Sequence, residues 1–348
     1  MGAGILGLAT AWECQRRGAT VRVIEAQEIG AGSSGGYVGA LAPHVPENWN
    51  AKKAFQLESL LMAEGFWASV ANASGHDPGY GRMGRLQPLV DMVALARARD
   101  RISGAETHWQ GLAEWRVVPV ADDGWMPASP TGWLVEDTLS ARLHPRQALT
   151  ALAAAVVVGG GRIETGRRFR PTDLFGSEGF GGLVLWATGV DGLNDLSADL
   201  AYPVGNGVKG QAALLAYDAS GQPQIFADGL HIVPHGDGTV AVGSTSEREF
   251  ADGALTDGAL DALVARVRVI CPALAKAPVI GRWAGVRPRA ASRAPLIGPW
   301  PGRPGHYVAN GGFKIGLGMA PKIATVMADL MLDVVSGIPE EFLPRAAL

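Results

Sequence analysis

The chain has 348 residues, is 47% hydrophobic and 18% charged, and carries a formal net charge of −3 at pH 7. That length holds one large or two medium domains around a sizeable core, and the small net charge excludes a general electrostatic pull toward nucleic acid or an anionic membrane. No apolar run approaches the roughly 18 residues of a spanning helix, and Cys14 and Cys271 lie far apart with no C-x-x-C, so neither a disulfide framework nor a zinc motif is read and a reducing, cytoplasmic setting is expected.

The chain opens on Gly2-Ala3-Gly4-Ile5-Leu6-Gly7, a G-x-G-x-x-G turn. A helical run over 5–17 follows, Gly18 caps it, and residues 19–24 read as a strand that Glu25 closes. In such a unit the first glycine allows the tight turn. The second lets the backbone approach a pyrophosphate, and the third lets helix pack on strand. The helix N-terminus offers unpaired N–H groups to the phosphates, and the acid can accept both hydroxyls of a ribose. The order predicts a dinucleotide site. A buried apolar strand should precede the turn, but only Met1 does, so the natural protein is expected to start upstream. The visible N-terminus shows none of the basic-then-apolar pattern of a secretory signal.

Residues 30–36 form a glycine-serine loop and 37–41 a short extended piece. Helical periodicity covers 52–70; 74–84 is a loop, 85–89 a strand and 92–101 a helix. Residues 109–133 are rich in Trp and Pro with short β-like runs. A helix is predicted over 145–158, with Pro145 in its first turn. Residues 181–189 read as a buried strand running into a turn. Strands over 211–217, 229–234 and 240–243 alternate in an antiparallel pattern, with Gly236-Asp237-Gly238 as a hairpin turn. A helix over 255–270 stops at Pro272, strands follow at 279–286 and 306–309, and a helix over 321–335 closes the chain. Strand–helix units at both ends with antiparallel strands between them predict an α/β fold. It combines a discontinuous Rossmann-like domain (1–50, 135–200 and 280–348) with an inserted α+β domain on a largely antiparallel sheet (51–134 and 201–279).

Near the C-terminus, Trp283-Ala284-Gly285-Val286-Arg287-Pro288-Arg289 leads to a second glycine-rich turn, residues 310–321, between a strand and a helix. With the opening motif, the 30–41 loop, Leu185-Trp186-Ala187-Thr188-Gly189, Val208-Lys209-Gly210-Gln211, Ile232-Val233-Pro234 and Val242-Gly243-Ser244-Thr245, this pattern runs over nearly the whole chain. The chain resembles the D-amino-acid oxidase family of FAD-dependent oxidoreductases, and most closely its glycine oxidase and sarcosine oxidase-like branch.

The resemblance implies a non-covalent FAD and makes the Rossmann-like domain its binding domain. It places Gly2, Gly4 and Gly7 at the pyrophosphate, and Glu25 at the adenosine ribose. Ser33, Ser34, Gly39 and Ala40 would line the pyrophosphate and flavin, and Phe169 would meet adenine through its backbone. Thr188 and Gly189 would end a strand near the cofactor. Gly312, Phe313, Lys314, Ile315 and Gly316 would face the flavin ring. Arg287 matches the arginine that forks onto the substrate carboxylate. Lys314 stands where a second arginine is common, and His231 where a tyrosine often meets substrate. His235 and the run Arg162, Arg167, Arg168 and Arg170 are read as solvated, and Cys271 as no point of flavin attachment.

The implied reaction is oxidation of the C–N bond of a small amino acid, whether glycine, a D-amino acid or an N-methyl amino acid. Hydride passes from Cα to flavin N5, the imine hydrolyses, and oxygen or another acceptor takes the electrons. No nucleic-acid partner and no membrane span are expected, and the oligomeric state is left open. Two alternatives are a tRNA wobble-uridine-modifying FAD oxidase, to which residues 39–43 are somewhat similar, and a flavin-bound subunit of a larger dehydrogenase.

Overall fold

In a computed structural model the described residues are 1–121, 124–174, 182–332 and 337–345. Gly181 and residues 333–335, read above as parts of a strand and a helix, lie outside them. The first unit is α1 (Ile5–Arg16), β1 (Arg22–Ile24), β2 (Ala40–Leu41) and α2 (Ala51–Ser74). Asn50 caps α2 by accepting from the Lys53 N–H, and Gly75 ends it at φ +71°. There follow β3 (Arg85–Pro88), α3 (Met92–Trp109), β4 (Trp115–Pro119), β5 (Trp133–Asp137), β6 (Ala141–Arg142) and α4 (Pro145–Val158). Helix α3 continues well past the predicted 101 because its last turns bury Ala105 and Trp109.

The second half comprises β7 (Arg162–Glu164), β8 (Val184–Trp186), α5 (Gly189–Leu200), β9 (Gly205–Ala216), β10 (Gln224–Ala227), β11 (Leu230–Pro234) and β12 (Thr239–Gly243). It ends with α6 (Gly258–Ile270), β13 (Val279–Ala290), β14 (Leu296–Pro299), β15 (His306–Asn310) and α7 (Gly316–Met331). Helix α7 starts five residues before Pro321, where the sequence reading began it. The missing proline N–H is tolerated because the helix opens locally. Lys322 N donates to Ser59 Oγ of α2 (3.2 Å), and Thr325 Oγ1 donates to the Pro321 carbonyl (3.1 Å).

The α/β class is as read, with one large mixed sheet. Its order is β13-β9-β12-β11-β10-β3-β5-β4, antiparallel throughout except for the parallel pair β10–β3. The β9–β13 ladder is the longest, and it sets Arg287 opposite Val208. Helix α6 covers this sheet through Leu260, Leu263, Val264 and Val267. A second layer holds β14-β15-β8, with β8 and β15 parallel, and a separate parallel pair β1–β7. Helices α1, α2, α4 and α7 pack around it on Leu8, Trp67, Leu152, Ala320 and Ala324.

Between β1 and β8 the backbone of residues 1 and 2 takes the place of a strand. The Met1 amine donates to the Leu185 carbonyl (2.7 Å), Ala187 N to the Met1 carbonyl (2.9 Å) and Gly2 N to the Ile24 carbonyl (2.8 Å). From there a groove of about 440 Å³ runs along β1 and residues 182–185, floored by Thr10, Ala11 and Cys14.

Candidate active site

Two adjoining cavities, of about 470 and 370 Å³, meet at Gly4, Ser33, Ser34, Ala187, Gly189 and Pro288. The larger begins at the opening turn. Gly2 sits at φ +95°, and a Cβ there would lie 2.4 Å from the Ala187 carbonyl oxygen; a Cβ on Gly7 would lie 2.0 Å from that of Gly2. These two glycines let the turn close against β8. Gly4 faces both cavities. The N-cap of helix α1, Gly4, has no side chain and its first turn no acid, so beyond the Ile5 N–H its N-terminus is left to an anion.

Glu25 lies at the floor of the larger cavity. One carboxylate oxygen accepts from Ala3 N (2.7 Å) and the other from Gln27 N (3.0 Å), which fixes the group and leaves lone pairs for hydroxyl donors. Ser34 Oγ accepts from Ile5 N (3.0 Å) at the helix start. Phe169, Thr188 and Gly189 line the same space. So do Arg167, Arg168 and Arg170, all three of them exposed, as that run was read. Arg167 and Arg168 are tied there to Glu164 and Asp191. A close-approach turn, a helix end without an acid or an N-cap side chain and an anchored carboxylate fit the pyrophosphate and ribose of FAD.

The smaller cavity is lined by Phe226, His231, Ser244, Trp283, Arg287 and the turn Gly312, Phe313, Lys314 and Gly316, together with Val38 and Ala40. A Cβ on Gly36 would lie 3.2 Å from the Trp283 ring, and one on Gly312 2.8 Å from the Gly316 Cα, so neither wall admits a side chain at those points. Flat apolar walls with few polar groups suit an isoalloxazine and a small ligand. No Asp or Glu is among the described lining residues.

Arg287 is the dominant polar group. It is 8% exposed on β13, and its guanidinium lies against Gly210 of β9, where a Cβ would come within 2.5 Å of it. It donates to Ser244 Oγ and to the carbonyls of Thr245 (2.7 Å) and Lys209 (3.4 Å); its buried Nε has no partner. Burial pushes its pKa down to about 10, against the opposing pull of Glu247, and it stays cationic at neutral pH. None of the described carboxylates is within ion-pair distance of it. Behind it, the buried Lys209 reaches Asp257 (3.3 Å) and Glu247 (3.6 Å), and Gln211 Nε2 donates to both acids. This network fixes the loop whose Ser244 and Thr245 hold the guanidinium.

Lys314 lines the cavity with no hydrogen bond or ion pair among the described residues. Burial and the neighbouring Arg287 both lower its pKa. Phe313 adopts φ +44°, uncommon for a residue with a side chain. Its ring centroid has Arg287 Cζ at 5.2 Å, Arg289 Cζ at 5.6 Å and Lys314 Nζ at 5.9 Å. His231, on β11, has a buried Nδ1 without a partner. Burial first, then Arg85 and Lys314, push its pKa down to about 3, so the ring is neutral.

Most of the residues singled out in sequence meet at these two cavities, and three do not line either. Gly7 packs in the turn, and Ile315 stands at the N-cap of α7. Gly39 abuts the Leu143 carbonyl, 1.7 Å from an ideal Cβ, so its role is strand packing. His235 is fully buried rather than solvated; its Nε2 meets the Tyr37 carbonyl (3.0 Å) and its ring lies on His144. Sequence reasoning missed Ser244, Trp283, Phe226 and the Gln211–Glu247 network as site residues. For Trp283 a signal existed, since Trp283, Gly285 and Arg287 alternate along one strand and share a face.

A sequence profile of the family described as "FAD dependent oxidoreductase" (DAO) matches residues 1–330. The chain is 28% identical over 354 residues to a glycine oxidase of Pseudomonas aeruginosa, covering 95% of this chain and 93% of that protein. It is 22% identical to a glycine oxidase of Geobacillus kaustophilus, covering 95% and 91%. The crystal structure of a Geobacillus kaustophilus glycine oxidase superposes with a TM-score of 0.83 at 18% identity, over 100% of this chain and 97% of that one. An iminodiacetate oxidase from a Chelativorans species gives 0.81 at 21% identity, over 99% of each.

Proposed function

Because the chain belongs to the DAO family of FAD-dependent oxidoreductases, we propose that it oxidises the C–N bond of a small amino acid held by its carboxylate on Arg287. The observation that carries this reading is a buried guanidinium that lines a cavity, has no ion-pair partner among the described carboxylates and, on Nη1 and on an Nη2 whose contact to Lys209 is long (3.4 Å), can turn an end-on pair of donors to a ligand. A planar fork of this kind matches a carboxylate in two hydrogen bonds. The similarity to glycine oxidases supports the same substrate class.

Gly4 and the α1 N-terminus would hold the pyrophosphate of FAD, Glu25 its adenosine ribose, Phe169 its adenine, and Ala40 with residues 312–316 its flavin. Bound there, it supplies a hydride acceptor, flavin N5, for the substrate Cα–H. The protein then has three tasks. Arg287 fixes the carboxylate and so aims the Cα. Phe226, Trp283 and Phe313 line the site with apolar surface that keeps water from the reacting carbon. His231, neutral at physiological pH, takes or gives a hydrogen bond without adding charge. Water hydrolyses the released imine to an oxo acid and ammonia. Among the described residues no acid–base pair lines the site, as suits a substrate whose amine binds neutral.

We assign 1–50, 135–200 and 280–348 to the cofactor side and 51–134 and 201–279 to the substrate side, with oxygen or another acceptor closing the cycle. The buried free thiols Cys14 and Cys271 accord with a cytoplasmic setting. Among the described residues no helix is long and apolar enough to cross a membrane. The tRNA-modifying reading is not favoured, since the formal charge is −3 and the two relatives named above are glycine oxidases. The test is product analysis with a panel of glycine, D-amino acids and N-methyl amino acids, with oxygen or an artificial acceptor. An oxo acid formed one-to-one with ammonia or methylamine is expected; acceptor reduction without either product would overturn the reading.

A further inference from the structure

Resting on the reading above, in which Ala40 and residues 312–316 hold the flavin, we propose that His235 is a positioning residue for that cofactor: its Nε2–H holds the Tyr37 carbonyl, and with it the 36–40 segment of the cavity wall. Alternate members of this segment face the cavity. Gly36, Val38 and Ala40 line it, while Gly39 is turned against Leu143. Of the segment, Ala40 alone belongs to a described strand, where it pairs with Arg142 of β6. The residues before it have no ladder partner there, and three hydrogen bonds from outside hold them. Leu143 N donates to the Gly39 carbonyl (2.9 Å), Arg146 Nε to the Gly35 carbonyl (2.8 Å) and His235 Nε2 to the Tyr37 carbonyl (3.0 Å). Arg146 is exposed, whereas His235 is wholly buried.

A carbonyl oxygen only accepts, so Nε2 of His235 carries the proton and its Nδ1 is an acceptor, buried without a partner. The β11–β12 hairpin does not need this side chain, since the His235 backbone N–H is already bonded to the Thr239 carbonyl (2.8 Å). A buried ring with one nitrogen unmatched costs stability. What the ring supplies is the link to Tyr37, 198 positions away in the chain. His144 lies on it, with ring centroids 4.5 Å apart. His144 is itself fixed: its Nδ1 accepts from Gln147 N (3.3 Å) and its Nε2 stands 3.5 Å from Asp237. Burial first, then His144 and Arg142, push the His235 pKa down to about 4, against the opposite pull of the Tyr37 carbonyl and Asp237. At physiological pH His235 is thus a neutral donor, and it holds the wall without adding charge to it.

The test compares His235→Gln with His235→Asn, each loaded with FAD. The Gln amide nitrogen can stand where Nε2 stands. The Asn amide, one methylene shorter, falls near Nδ1 and leaves the Tyr37 carbonyl without its donor. The readouts are the visible absorbance and circular dichroism of the bound flavin, FAD affinity by fluorescence titration, the rate and half-saturation of anaerobic flavin reduction, and the Tm of each apoprotein. His235→Asn is expected to shift the flavin bands and to lower FAD affinity and the limiting reduction rate by about tenfold, with half-saturation little changed because Arg287 is untouched. His235→Gln should return bands, affinity and rate to within about twofold of wild type. Two results overturn the proposal: a wild-type flavin spectrum and reduction rate in His235→Asn, or a His235→Gln as impaired as His235→Asn, which would assign the ring to packing on His144. Should the Tm show that His235→Asn does not fold, His235→Leu is measured in its place, with the same outcomes. Lys314→Met, in the 312–316 turn, separates the proposal from the reading it rests on. A flavin spectrum that neither Lys314→Met nor His235→Asn changes refutes the flavin placement itself, and a shift in Lys314→Met alone refutes only the role of His235.

Discussion

Arg287 lies against Gly210 because β9 and β13 pair in one register and because the glycine has no side chain. Two predictions follow from that contact. Arg287→Ala should cost on the order of 2–5 kcal/mol in kcat/KM for a carboxylate substrate, and Arg287→Lys should also lose activity, since an ammonium cannot form the fork. Gly210→Ala should mimic these losses by displacing the guanidinium. In all three variants FAD affinity, read by fluorescence titration, should stay near wild type; a parallel loss of FAD would show that the arginine supports the fold instead. His231 gives a pH prediction. Its pKa falls from an ordinary 6.5 to about 3 in the folded chain, so the unfolded chain binds its proton more readily. Stability is then intact above about pH 6.5 and drops as the pH falls from there toward 3. His231→Gln should flatten the Tm profile between pH 5 and 7; an unchanged slope would rule this histidine out as its source. At this scale the sequence was legible where one motif names one residue, as for Arg287. The Gln211, Glu247 and Asp257 network was not, because its members are brought together only by the pairing of β9 with the loop after β12.

Elements were legible where local chemistry sets their limits: Pro145 opens α4 at the predicted residue, and Gly236-Asp237-Gly238 turns between β11 and β12. They were misread where tertiary contacts override it, as at Pro321, whose helix survives because Ser59 of α2 takes up the N–H of Lys322. The groove between β1 and β8 carries an element-scale prediction. Residues 1 and 2 already bridge both strand edges, and they line the groove together with residues 22–24 and 184–185. A short run of valines and isoleucines fused ahead of Met1 should enter it as a parallel strand, at roughly 1 kcal/mol per added hydrogen bond. A higher Tm and slower amide exchange in residues 22–24 and 184–186 are expected. Unchanged exchange there would show that the groove does not accept a strand.

In the whole molecule, the two ends of the chain and its middle meet at one site. The opening turn and Glu25 build one cavity, and the 312–316 turn, β11 and β13 build the other. Order along the sequence made this arrangement readable; the depth of each cavity and the absence of acids among the described residues lining the second required the fold. Glu25→Ala should weaken FAD far more than flavin mononucleotide, since the shorter cofactor lacks the adenosine ribose; equal losses would instead assign Glu25 to fixing the Ala3 and Gln27 amides. The central claim is that Arg287 presents an amino acid to a flavin in the second cavity. Stopped-flow absorbance of the anaerobic holoenzyme tests it most directly. The account predicts that an amino acid bleaches the flavin band at a rate that saturates with its concentration, and that Arg287→Ala, equally loaded with FAD, loses that saturation. Bleaching of Arg287→Ala with wild-type rate and affinity would contradict it.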